Sequence, residues 1–176
     1  MLQRLLSILL LSLLTSDLAY GQGHETIQEY ELKAKYVLNM LILTEMPSLA
    51  LHNATYTVCL TGDTPLESIL TASNGKLIRN RPLVIRRVEN LSQADNCQML
   101  FIASSARYRL QPLLAAAGRR GILTISDMKD FARQGGMIGL LIVDNRLTFD
   151  INRSAAGKAS VSFDSQLLNL AHDIIK

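Results

Sequence analysis

The sequence predicts a single α/β domain on a mixed sheet of five to six short strands, with helices on both sides and a C-terminal β-hairpin followed by helices. Three observations predict it. Short β-branched or apolar runs alternate along the chain with stretches whose apolar residues recur every three or four positions, as strands interleaved with amphipathic helices do. One run, Met99-Leu100-Phe101-Ile102, is apolar at every position, which suits a strand covered on both faces. The chain of 176 residues, 48% apolar and 19% charged, is large enough to enclose one core, and no repeat, low-complexity stretch or linker divides it.

The first element is a helix over 25–45, where Leu32, Tyr36, Val37, Met40, Leu41 and Thr44 follow helical spacing and Pro47 stops the chain. Residues 49–55 have no period and read as a loop. Tyr56-Thr57-Val58-Cys59-Leu60 is a strand, and Thr61-Gly62-Asp63-Thr64-Pro65 supplies a turn, an N-cap and a proline at the first helical position. The helix this opens runs over 65–72 and ends at Asn74-Gly75. A turn at Arg79-Asn80-Arg81-Pro82 leads to a strand over 83–88, and the apolar run over 99–102 is the third. Ser104 or Ser105 caps a helix with Leu110, Leu113, Leu114 and Ala117 on one face, which ends at Gly118 before a fourth strand over 122–125. Strand, helix and strand make a right-handed crossover. A short helical turn over 127–132 and Gly135-Gly136 lead to a strand over 137–143. Asp144-Asn145 then turns the chain into 146–151, where Leu147, Phe149 and Ile151 alternate with polar residues. A small-residue helix over 152–159 follows, and Asp164 or Ser165 caps a last helix over 166–175.

Composition excludes a multipass membrane protein, a coiled coil, a repeat array and a disulfide-dense miniprotein. The net charge of +3 is too small and too dispersed for a nucleic-acid partner. Arg4, an apolar run over 5–14 broken only by Ser7 and Ser12, and small residues in Ala19-Tyr20-Gly21 read as a secretory signal peptide over 1–21. The run falls short of the roughly 20 residues that span a bilayer, and no cysteine follows it to carry a lipid. The mature region, 22–176, is therefore expected in the periplasm, an oxidising compartment. There Cys59 and Cys97, the two cysteines of the chain, read by default as a disulfide that stabilises the fold by roughly 4 kcal/mol. Two buried thiols or a metal site are the alternatives, although His24, His52 and His172 show no ligand spacing with either cysteine.

Gly62-Asp63 sits where a strand meets a helix start, a place that binds anions through free N–H groups, but the glycines of a phosphate-binding fingerprint are missing and Asp63 would repel a phosphate. Arg79, Arg81, Arg86 and Arg87 form the densest basic patch, either a solvated face or a docking surface for an acidic partner or a small anion. Ser126-Asp127-Met128-Lys129 has the Ser-x-x-Lys spacing of penicillin-recognising enzymes without their companion motifs, so Ser126 reads as a cap. Ser104, Ser105 and His172 do not assemble into a triad by spacing. No catalytic site, cofactor or metal is expected.

Several segments, taken in order, carry a resemblance. These are Lys33-Ala34-Lys35-Tyr36-Val37-Leu38-Asn39, Thr44-Glu45-Met46-Pro47, Val58-Cys59-Leu60-Thr61-Gly62-Asp63, Asn80-Arg81-Pro82-Leu83-Val84 and Cys97-Gln98-Met99-Leu100-Phe101-Ile102. They continue with Leu123-Thr124-Ile125-Ser126-Asp127, the segment from Phe131 through Gly135-Gly136 to Ile138, Phe149-Asp150-Ile151-Asn152 and Ser165-Gln166-Leu167-Leu168-Asn169-Leu170-Ala171. Together the mature region resembles the YfiR-like periplasmic proteins. The resemblance implies a periplasmic, often dimeric domain without catalytic activity. The best-known member restrains an inner-membrane diguanylate cyclase and is sequestered by an outer-membrane-associated lipoprotein, which links envelope stress to cyclic di-GMP and biofilm growth. The family's disulfide falls on Cys59 and Cys97. A second disulfide of the best-known member has no counterpart here, and Met46 stands where the family has Trp. The function expected is restraint of a membrane signalling protein by contact; the alternative is a module for a small anionic or aromatic ligand. The residues expected at the partner or ligand surface are Gly62, Asp63, Arg79, Arg81, Arg86 and Arg87.

Overall fold

Helix α1, Gly21–Ile42, turns Val37, Met40 and Leu41 inward as the three-and-four spacing predicts, but Leu32, expected on that face, is exposed and Ala34 is buried instead. The structure, a computed structural model, describes residues 21–47, 54–90, 92, 94 and 96–176, without the side chains of 21–26. The expected signal peptide, apart from Gly21, and most of the 49–55 loop lie outside the described residues. The helix ends three residues before the expected 45. Thr44 donates to the Met40 carbonyl at 2.6 Å and Arg79 to the Ile42 carbonyl at 2.6 Å, satisfying carbonyls that a helix end leaves open. Thr44–Glu45, strand β1, then pairs with a later two-residue strand.

The remaining elements follow in order: β2 Tyr56–Thr61, α2 Leu66–Thr71, β3 Leu77–Ile78, β4 Arg81–Arg87 and β5 Met99–Ile102. A 3-10 turn over Ser104–Arg109 runs into α3, Leu110–Arg119, followed by β6 Leu123–Ser126, β7 Ile138–Val143 and β8 Arg146–Asn152. The chain closes with α4 Arg153–Lys158, β9 Ser162–Phe163, α5 Ser165–Leu170 and β10 Asp173–Ile175. Residues 127–132, expected as a short helix, form turns.

The main sheet has eight strands in the order β10-β8-β7-β6-β5-β2-β4-β3, and β1 and β9 make a separate antiparallel pair. The α/β class and the mixed sheet are as expected; the strand count is higher because β1, β3, β9 and β10 have only two or three residues each. Strands β4, β2, β5, β6 and β7 are mutually parallel, and the antiparallel β7–β8 hairpin follows. Its turn holds Asp144 at φ +47° and Asn145 at φ +59°, the left-handed pair that a two-residue hairpin demands. Arg79 and Asn80 make the same kind of turn between β3 and β4.

Alternation along the strands builds two cores. Val58, Leu60, Met99, Phe101, Leu123 and Ile125 pack with α1 and α2, while Cys59, Leu100 and Ile102 pack with Leu110, Leu113 and Ala117 of α3. At the C-terminus the expected helix over 166–175 stops early. Asp164 accepts from the Gln166 N–H at 2.7 Å to open α5, but Ala171 is extended and His172 N–H donates to the Phe149 carbonyl at 2.8 Å. That bond sets Asp173-Ile174-Ile175 parallel to Asp150-Ile151-Asn152 as an edge strand.

Candidate functional site

The five parallel strands follow the doubly wound pattern in which chain direction reverses beside the first strand, here between β2 and β5. The crevice past the C-terminal ends of those strands is where such sheets bind ligands, and Gly62 and Asp63 lie there. Gly62 has φ +83°, and a Cβ on it would come within 2.7 Å of Ser105 Oγ, so both backbone and space require glycine. The Asp63 N–H donates to Ser105 Oγ at 2.6 Å, which ties the turn after β2 to the one after β5.

Of the four arginines expected as a patch, one joins this edge. Arg87 lies 2.6 Å from Asp63, 2.9 Å from Glu67 and 3.1 Å from Glu89. Hydrogen bonds to Asp63, Glu89 and Glu67 raise its pKa beyond an already high value. Arg86, next in the strand, points to the other face, with Nη2 3.7 Å from Cys97 Sγ and 4.0 Å from Cys59 Sγ. Arg81 stacks over the Tyr56 ring at 4.0 Å, and Arg79 holds the end of α1. The pleat and the turn therefore divide a patch that is continuous in sequence.

Sequence reasoning missed Glu67, Glu89, Ser105 and Arg109. Arg109 donates to the Glu89 carbonyl at 2.6 Å and to Thr61 Oγ1 at 3.4 Å. Glu67, Ser105 and Arg109 meet their partners across 20 to 48 residues of sequence, so no local motif marks them, while Glu89 lies only two residues after Arg87. With three carboxylates on Arg87, an anion entering here must displace one of them, whereas Asp63, 85% exposed, leaves a carboxylate open to a cationic group on a protein surface.

Cys59 and Cys97 form a disulfide, with Cα atoms 5.8 Å apart. Both are buried, and the bond joins the middle of β2 to the residue two positions before β5. Ser126 is fully buried, donates to the Ile102 carbonyl at 2.6 Å and accepts from the Met128 N–H at 3.0 Å, the capping role expected of it. A second charged cluster holds α1 to the same edge of the sheet. Lys33, 7% exposed, lies 2.8 Å from Asp127 and 2.6 Å from Glu29. Burial opposes its charge, but the hydrogen bonds and charges of Asp127 and Glu29 outweigh it, and the lysine pKa is raised. Among the described residues no helix is long and apolar enough to cross a membrane.

Two solved structures share the fold. A conserved domain protein from Vibrio cholerae superposes with a TM-score of 0.58 at 11% identity over 82% of this chain. The ABC domain in complex with L-Trp from Streptococcus pneumonia superposes with a TM-score of 0.54 at 6% identity over 81%. This chain spans 60% of each, and at such identities the likeness concerns the fold alone. No curated protein matches the sequence. The YfiR/HmsC-like family matches residues 30–172, which takes in the turn after β2, the disulfide, the Lys33–Asp127 pair and the terminal β7–β8 hairpin. By that match across most of its length, the chain belongs to the YfiR/HmsC-like family.

Proposed function

We propose that the protein is a periplasmic regulator, delivered by a cleaved signal peptide, that restrains a membrane diguanylate cyclase by binding its periplasmic region. The observation that supports this reading is the family match over residues 30–172, since the resemblance implies a regulator that works by contact. The contact surface is assigned to the edge formed by Gly62, Asp63 and Arg87, where exposed ion pairs can exchange with those of a partner. Such charges govern encounter rate and partner choice more than raw affinity. An outer-membrane-associated lipoprotein that sequesters the regulator, and a homodimeric state, complete the reading by resemblance.

The test is affinity capture of the oxidised protein from detergent-solubilised envelope, run with cyclic di-GMP measurements in deletion and overexpression strains. Recovery of a membrane cyclase, with the nucleotide rising on deletion, is the expected result. Capture of no signalling protein together with an unchanged nucleotide level would overturn it.

A further inference from the structure

At the end of the sheet opposite Gly62, helices α3 and α4 enclose a groove of about 450 Å³ whose lining has no acidic side chain. Their C-terminal ends lie side by side: a Cβ on Gly121, just past α3, would come within 3.2 Å of the Ala159 carbonyl, just past α4. Arg119 and Lys158, in the last turns of the two helices, are thereby brought to the same end of the groove. Both are exposed, and neither has an ion-pair partner among the described residues. Here the basic side chains differ from Arg79, Arg81, Arg86 and Arg87, all of which are engaged.

Away from the cations the walls turn apolar. Leu114 and Ala115 come from α3, Ala155 from α4 and Met137 from the approach to β7. The floor carries Thr124, which is buried and accepts from the Met137 N–H at 3.1 Å. Apolar walls with a few convergent polar groups are the usual make-up of a small-molecule site.

We propose that this groove binds a small organic anion with an apolar body, its carboxylate between Arg119 and Lys158 and its body against Leu114, Ala115, Met137 and Ala155. The site is separate from the Gly62 edge and does not depend on the protein restraining a cyclase. Charge selects the anion, and the apolar walls supply the burial.

The experiment is a titration of the oxidised, isotope-labelled protein with 3-phenylpropionate and with its neutral amide, followed by amide NMR shifts. Saturable shifts confined to α3, α4 and residues 135–137, with the amide failing to saturate, are expected. The double variant R119Q/K158Q should weaken binding roughly tenfold, and Ala115→Trp, which fills the groove from an exposed position, should abolish it. Both variants should keep the parent spectrum elsewhere. No saturable shift, shifts mapping to another face, equal binding of the amide, or unchanged binding by R119Q/K158Q would each overturn the assignment. Binding of an acidic peptide in place of phenylpropionate would overturn the small-ligand class.

Discussion

Reduction of the Cys59–Cys97 disulfide should lower stability by an amount that can be worked out in advance. The bond closes a loop with a sequence separation of 38, and for a loop of that size the chain-entropy model gives about 13 cal/mol/K, or about 4 kcal/mol at room temperature. For a domain of this length about 1 kcal/mol shifts the melting midpoint by 2–4 °C, so reduction should lower it by about 8–16 °C. The effect acts mainly on the unfolded chain, because both cysteines are buried and the β2–β5 pairing around them is made by backbone hydrogen bonds. A second signature follows. Without the cross-link the unfolded chain exposes more surface, so the urea m-value should rise on reduction. The assay is thermal and urea unfolding by circular dichroism, with and without a reductant and with thiol content titrated at each end point. A melting shift below about 2 °C with fully reduced thiols would refute the entropic account.

Three other perturbations test the packing and the charged edge. Lys33→Met leaves Asp127 without its cation and should cost about 1–3 kcal/mol in urea unfolding; and because the folded-state pKa of Lys33 is raised, the stability the charge contributes is complete below about pH 10.5 and is lost above it, so the parent should lose stability at alkaline pH more steeply than K33M. Gly136→Ala places a Cβ 2.0 Å from the Phe131 ring, which is buried; it should destabilise by about 1–3 kcal/mol, and Phe131→Leu in the same chain should recover part of the loss, an outcome that additive costs would contradict. Arg87→Gln should scarcely move the melting midpoint, since its ion pairs are exposed, yet should reduce cyclase capture; undiminished capture by the folded variant would remove Arg87 from the contact surface.

The parts of the fold legible in the sequence are those where local pattern and tertiary role agree. Met99–Ile102 is apolar throughout because both cores cover it, and Leu147, Phe149 and Ile151 alternate because one face of β8 is covered. The expected last helix shows where pattern fails. Leu167, Leu168, Leu170, Ala171 and Ile174 keep a helical spacing, yet Ile174 and Ile175 gain a strand partner in β8 that no local signal displays. The two-residue strands β1 and β9 are set by each other and carry no period at all. For the site, Gly62 and Asp63 were visible as a strand-to-helix turn. Glu67 and Ser105 were not, since only the fold brings them to Arg87 and Asp63, whereas Glu89 stands two residues after Arg87 and is its neighbour in the sequence itself. Adjacent arginines look like one patch in sequence, but a strand sends Arg86 to the sulfurs and Arg87 to the carboxylates.

That division bears on whether the disulfide is a switch. The bond sits at Cys59 and Cys97, while the contact edge lies past Thr61, beyond two further residues of β2 that remain paired with β5 at Leu60↔Phe101 and Thr61↔Ile102. Asp63 is also held by Ser105, a contact that owes nothing to the sulfurs. Reduction should therefore lower stability without reshaping the edge, provided the protein stays folded. Capture of the membrane partner by oxidised and reduced protein should be equal at a temperature well below the reduced midpoint, and should diverge only as the reduced form begins to melt. Weaker capture by fully folded, reduced protein would show that the bridge shapes the contact surface and acts in signalling, and the structural reading of Cys59 and Cys97 would fall.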